Sequence, residues 1–147
     1  EDCPGLAKIS RIRKTAEREN HRRIAILVGN GGLYFPLELA RGADGAMTGF
    51  AYPELLVEVF ASFQAGEVDE AFDLFDDYLP LIRYEQQPGI GLAVRKQILH
   101  RRGVIASPTL RTPGAKLDRD DLTELDMLLR RLDERTRGAR GGPTSTW

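Results

Sequence analysis

Ile24-Ala25-Ile26-Leu27-Val28-Gly29-Asn30-Gly31-Gly32, then Gly42-Ala43-Asp44-Gly45-Ala46-Met47-Thr48-Gly49, are the two stretches that decide how this chain is read. The first opens with a continuous apolar run rich in β-branched side chains. It has no in/out alternation, so both faces are expected to be covered, as in the parallel sheets of α/β proteins. Between the two stretches, Leu33 to Arg41 reads as a short helix with Pro36 in its first turn, where a missing N–H does no harm. Ala46-Met47-Thr48 reads as a very short second strand ended by Gly49. Strand, helix and strand make a βαβ unit whose crossover is expected to be right-handed.

Upstream, Pro4-Gly5 signals a turn, and Leu6, Ile9, Ile12 and Ala16 recur at helical spacing with Lys8, Arg11, Lys14 and Arg18 on the other faces. The basic cluster from Lys8 to Arg23 is interrupted by Glu17 and Glu19 and reads as a solvated helix face. Downstream the pattern is helical. Pro53 opens a helix with Leu55, Leu56, Val59, Phe60 and Phe63 inward, stopped by Gly66. Val68 to Ile82 and Ile90 to Arg102 follow, the latter closed by Gly103. Residues 104 to 117 look extended. Asp118 caps a last helix with a stripe of Leu122, Leu125, Leu128, Leu129 and Leu132. The tail from Gly138 to Trp147 has the composition of a disordered segment. Two parallel strands alone do not make a stable sheet. The unit is therefore expected to find sheet partners outside these residues, as the later part of a larger strand–helix protein.

Composition excludes little but points away from several classes. Acidic and basic residues nearly cancel, at a formal net charge of −1, so nucleic acid is not an expected partner. The apolar runs fall far short of the roughly 20 residues that span a bilayer, so no membrane association is expected. A single cysteine, Cys3, cannot form an internal disulfide and fits a cytoplasmic location.

The Gly29-Asn30-Gly31-Gly32 turn sits between a strand and a helix. It can cradle a phosphate or carboxylate with its N–H groups, or its glycines can serve backbone geometry alone. It has neither the Lys-Ser/Thr ending of a P-loop nor Gly-x-Gly-x-x-Gly spacing. A nucleotide-binding sheet would want an acidic residue at the end of the second strand, where Met47 and Thr48 stand. His21 and His100 share no ligand spacing, so no metal is expected. The acidic runs at Asp73, Asp76 and Asp77 and at Asp118, Asp120 and Asp121 read as surface and cap. Lys8, Lys14, Lys96 and Lys116 all lack the desolvated strand-end setting that a Schiff-base lysine needs.

Four segments in register carry a family resemblance. They are Glu1-Asp2-Cys3-Pro4-Gly5-Leu6-Ala7-Lys8-Ile9-Ser10-Arg11-Ile12, the Ile24–Val28 strand with Gly29, Gly42-Ala43-Asp44-Gly45-Ala46-Met47-Thr48-Gly49, and Gly66-Glu67-Val68-Asp69-Glu70-Ala71. Together with the number of helices that follow, they resemble the dihydrodipicolinate synthase / N-acetylneuraminate lyase family from residue 1 to about residue 135.

The resemblance implies an α/β fold, the C-terminal part of a (β/α)8 TIM barrel followed by an all-helical extension. Residues 1–52 would hold the last strand–helix units, with Ile24–Val28 and Ala46–Thr48 as the seventh and eighth strands. Residues 53–137 would hold the last barrel helix and the extension. It also implies a Schiff-base lyase, an aldolase or dehydratase acting on pyruvate or a 2-keto-3-deoxy sugar acid. The lysine nucleophile would fall just before Glu1, so no catalytic residue is expected within the chain. By position, Gly29, Asn30, Gly31, Met47, Thr48 and Gly49 would line the substrate. No cofactor is implied, and the complete protein would be a homo-oligomer, a tetramer or dimer. Gly31 and Gly32 stand where sialic-acid lyases carry acidic residues, which argues against that substrate; the Ala-Met-Thr-Gly wording looks closer to the sugar-acid branch. The contrasting expectation is a non-catalytic binding or assembly chain that completes its sheet with a partner.

Overall fold

The computed structural model describes residues 5–140 and their side chains through residue 137. Cys3 and most of the tail expected over 138–147 lie outside the described residues. The chain divides into two compact units, Glu1–Phe75 and Asp76–Trp147, with the division inside one long helix.

The first unit holds the βαβ arrangement. Helix α1 (Gly5–Arg18) leads through a polar link to β1 (Leu27–Val28), a one-turn 3₁₀ segment (Asn30–Gly32), α2 (Phe35–Ala40), β2 (Gly45–Ala46), α3 (Pro53–Ala65) and the start of α4 (Val68–Glu85). β1 and β2 pair in parallel, Leu27 opposite Gly45 and Val28 opposite Ala46. Ladder bonds flank the pair, from Asp44 N to Ile26 O at 2.8 Å and from Met47 N to Val28 O at 2.9 Å.

Both strands are shorter than the apolar runs foretell, because each has one neighbour among the described residues and regular pairing stops where that neighbour turns away. Within these residues only one face of the first strand is covered. Val28 is 4 % exposed, but Leu27 is 55 % and Ile24 47 % exposed. The helix expected from Leu33 begins only at Phe35, with Pro36 in its first turn. The residues before it are consumed by the 3₁₀ turn, where Asn30, Gly31 and Gly32 all have positive φ.

Within this unit α2 packs against α1 and α3, and the core gathers Ile9, Val28, Phe35, Leu39, Leu55 and Val59. Gly66 closes α3 in the left-handed conformation, its N–H donating to Phe63 O and Ser62 O. Such a cap satisfies carbonyls that a helix end otherwise leaves open.

The second unit contains the rest of α4, which runs three residues beyond Ile82, then α5 (Gly91–Arg101) and α6 (Arg119–Arg140). α6 therefore continues into the first residues of the expected tail. Its start is a reciprocal cap. Asp118 Oδ1 accepts from Asp120 N (2.8 Å) and Asp121 N (2.9 Å), and Asp121 Oδ2 accepts from Asp118 N (2.9 Å). This is capping-box logic with Asp at both positions. Leu81, Ile82, Val94, Ile98, Leu125 and Leu132 are buried.

A carboxylate lies among them. Glu85 has a side-chain exposure of 0 % and accepts from Arg95 Nε at 2.5 Å, with Arg95 27 % exposed. Tyr84 Oη sits within hydrogen-bond distance of Glu124 Oε2 (2.9 Å) and Asp121 O (3.2 Å). Burial, followed by the Glu124 carboxylate, pushes its phenol up to about 12.

Candidate substrate-lining site

The parallel register sets the geometry of the site. Successive side chains of a strand alternate faces, so pairing Leu27 with Gly45 puts Leu27, Gly29, Gly45 and Met47 on one side of the ribbon. Val28 and Ala46 turn to the other, and Val28 is buried. Met47 is 77 % exposed. Its N–H donates to Val28 O, the carbonyl just before Gly29, so the C-terminal ends of both strands lie side by side. The pairing thus brings Gly29 next to Met47.

The turn after β1 has two parts with different demands. Gly31 (φ 65°) and Gly32 (φ 75°) need the freedom of glycine. A Cβ on Gly32 would also meet Leu56 Cδ2 at 3.1 Å. Both are buried, and Gly32 N closes the turn onto Gly29 O at 2.9 Å. Gly29 itself has φ −114° and open space around its Cβ position. No crowding within these residues explains a glycine there. Asn30 is exposed, and Thr48 and Gly49 are half-buried. Of the six residues expected to line a ligand, Asn30 and Met47 are exposed, Gly29 is half-buried and Gly31 is buried. After Gly49 the chain is pinned by Phe50 (5 % exposed), whose ring sits 5.9 Å from that of Tyr52, tilted by 46°.

The six residues offer an amide, a thioether, a hydroxyl and backbone groups. None carries a side chain that titrates near neutral pH, so the site can hold a ligand but supplies no acid–base pair. An open cleft of ≈ 360 Å³ lies beside it, between α1 and β1, lined by Lys8, Ile9, Ile12, Val28, Gly29 and Glu38. Lys8 is half-buried there, a correction to the expectation that it lies on the polar side of α1. Lys96 donates to Thr109 O at 2.5 Å. His21 and His100 are exposed. Among the described residues no group of three or more His, Cys, Asp or Glu is placed to hold a metal ion, and no helix is long and apolar enough to cross a membrane.

At the opposite, N-terminal ends of the strands is a polar knot that the sequence reading missed. Arg13 Nη2 donates to Asp44 Oδ2 at 2.6 Å, its Nη1 to Ile24 O at 2.7 Å and its Nε to Gly42 O at 2.8 Å. Asp44 also accepts from Ile26 N at 2.7 Å and pairs with Arg23 at 2.5 Å. The Ile26 N–H, ahead of the Arg23 and Arg13 guanidinium groups, holds the Asp44 carboxyl below its ordinary pKa despite some burial. A hint was present in the sequence: Arg13 follows Ile9 by four residues, on the inward stripe of α1.

No protein-family profile matches the chain. The chain is 35% identical over 96 residues to L-2-keto-3-deoxyarabonate dehydratase of Azospirillum brasilense, a span of 65% of this chain and 31% of that protein. It resembles the crystal structure of dihydrodipicolinate synthase from Rhodopseudomonas palustris with a TM-score of 0.85 and 50% identity, covering 89% of this chain and 44% of that one. Dihydrodipicolinate synthase from Oceanobacillus iheyensis shares the fold at a TM-score of 0.74 and 18% identity, over 88% and 43% of the two chains. The chain spans about a third of the curated relative's length and less than half of the solved ones.

Proposed function

Because the chain belongs to the dihydrodipicolinate synthase / N-acetylneuraminate lyase family, we propose that it forms one wall of the pocket of a Schiff-base lyase. In this reading β1 and β2 are the seventh and eighth strands of a (β/α)8 barrel, α3 is its last helix, and α4 to α6 are the C-terminal extension. The substrate is a 2-keto acid, pyruvate or a 2-keto-3-deoxy sugar acid. An upstream lysine condenses with the keto group to an iminium, releasing water. The iminium accepts the electron pair when the adjacent carbon–carbon bond breaks, or when the neighbouring C–H proton leaves. In the latter case the enamine so formed expels the β-hydroxyl as water. Gly29, Asn30, Gly31, Met47, Thr48 and Gly49 form the lining. Gly29 lets the ligand approach the backbone, and Met47 packs over the iminium. The whole protein is an oligomer working in the cytoplasm.

One observation carries the reading: Leu27, Gly29 and Met47 share an exposed face at the strand ends while Val28 is buried behind it. In a closed barrel that face meets the interior, and active sites lie at the C-terminal ends of the strands. The cleft along β1 is then the seat of the preceding strand. The test is borohydride trapping with pyruvate on the 147-residue chain. No adduct is expected; a stable adduct on Lys8, Lys14, Lys96 or Lys116 would refute the upstream nucleophile.

The same exposed apolar face also supports a second reading, a non-catalytic chain that completes its sheet with a partner. Size-exclusion chromatography with circular dichroism separates the two. A compact, cooperatively melting monomer favours the second reading, and aggregation or a molten state favours the barrel wall. A stable stoichiometric complex with an unrelated protein that buries Leu27 and Met47 favours the second.

A further inference from the structure

The outer side of α1 carries a feature that the keto-acid reading does not use. A shallow groove of ≈ 440 Å³ is lined by Ser10, Arg11, Lys14, Thr15 and Arg18, together with Arg41 from the end of α2. The five α1 residues recur at steps of three and four and so share one helix face. Arg11 and Arg18 are about 10 Å apart along the axis, with Lys14 between them. Arg41 Nη1 donates to Ser10 Oγ at 3.2 Å, and Ser10 Oγ donates to Leu6 O at 3.4 Å. The serine hydroxyl therefore tethers a fourth cation to the stripe.

The charge in this groove is only partly neutralised. Arg18 pairs with Glu19 at 2.7 Å in an exposed position. Among the described residues neither Arg11 nor Lys14 has an ion pair. Glu17 and Glu19, which suggest an ordinary mixed-charge face in the sequence, do not line the groove.

We propose that this groove binds a small phosphorylated anion with at least two phosphoryl charges. Guanidinium groups match phosphoryl oxygens with paired N–H donors, and four cations exceed what one carboxylate neutralises. A chain of net charge −1, with Glu17 and Glu19 bordering the stripe, would repel a long polyanion beyond the groove, which favours a compact ligand. The site shares no residue with the substrate lining.

The test titrates the chain with inorganic pyrophosphate at about 0.15 M salt, read by calorimetry and by ³¹P line broadening. Saturable one-to-one binding is expected, tighter than that of orthophosphate. It should weaken by about tenfold or more in Arg11→Gln/Lys14→Gln and also fall in Arg41→Gln. Ser10→Ala, which leaves the charge intact, should weaken it less. Arg130→Gln/Arg131→Gln, which removes the same charge from α6, should bind as the parent does, and circular dichroism checks that each variant is folded. No saturation by about 10 mM pyrophosphate would overturn the proposal, as would equal losses in the α6 control. Tighter binding of a short single-stranded oligonucleotide would overturn it in favour of a polyanion surface. Self-association at low salt that depends on Arg11 and Lys14, without pyrophosphate binding, would overturn it in favour of a contact between copies.

Discussion

The Glu85–Arg95 pair gives an asymmetric prediction. Glu85 has no side-chain exposure, whereas Arg95 is 27 % exposed on a long, flexible stem. Removing the arginine (Arg95→Met) takes the neutralising guanidinium away from a carboxylate that water does not reach, and breaking a buried pair this way costs about 3–5 kcal/mol. Removing the carboxylate (Glu85→Leu) leaves a guanidinium that can turn to solvent. Its cost is closer to that of one charge-assisted hydrogen bond, about 1.5–3 kcal/mol. The double variant removes both charges and replaces them with apolar volume, so it should lie within about 1 kcal/mol of the parent. Urea unfolding followed by far-ultraviolet circular dichroism measures all four chains, with the midpoint shifting at constant slope. A double-mutant cycle then extracts the coupling. If Glu85→Leu costs as much as Arg95→Met, the exposure argument is wrong. If the two single costs simply add in the double variant, the pair does not act as a unit.

Three further outcomes follow from single contacts. Gly32→Ala should destabilise the first unit by about 1–2 kcal/mol, since φ is +75° and the new Cβ would press on Leu56 at 3.1 Å; Gly29→Ala, with open space, should cost much less in the same unfolding assay. Because the folded Asp44 carboxyl sits below its ordinary value of 3.8, its contribution is complete above that value and fades as pH falls through the folded pKa. The melting temperatures of parent and Asp44→Asn should therefore differ at pH 7 and converge in acid. With Tyr84 raised to about 12, the protonated phenol favours the folded state fully below pH 10 and progressively less as pH rises towards 12. The phenolate absorbance step near 12 should vanish in Tyr84→Phe and move down in Glu124→Gln.

Much of this chain could be read locally. The helices follow from apolar spacing of three and four. Gly66 and Gly103 end their helices with φ of 88° and 73°, as glycines past a last turn commonly do, and Asp118 caps α6 with its own carboxylate. The order strand–turn–helix–strand was likewise visible, because each segment's composition is a property of neighbours in sequence. Strand limits were less legible: β pairing ends where the neighbouring backbone departs, and no run of Ile and Val carries that information.

The sequence by itself determined the element order, the helix ends and the Gly-rich turn after the first strand. Only the tertiary structure decided that Gly29 and Met47 share one open face, because a shift of one residue in register would have turned Met47 to the other side. Tertiary contacts alone also joined Arg13 to Asp44, 31 residues away, placed Arg41 beside the α1 stripe, and buried Glu85 against Arg95. Each of these depends on how separate elements approach one another, and local periodicity is blind to that.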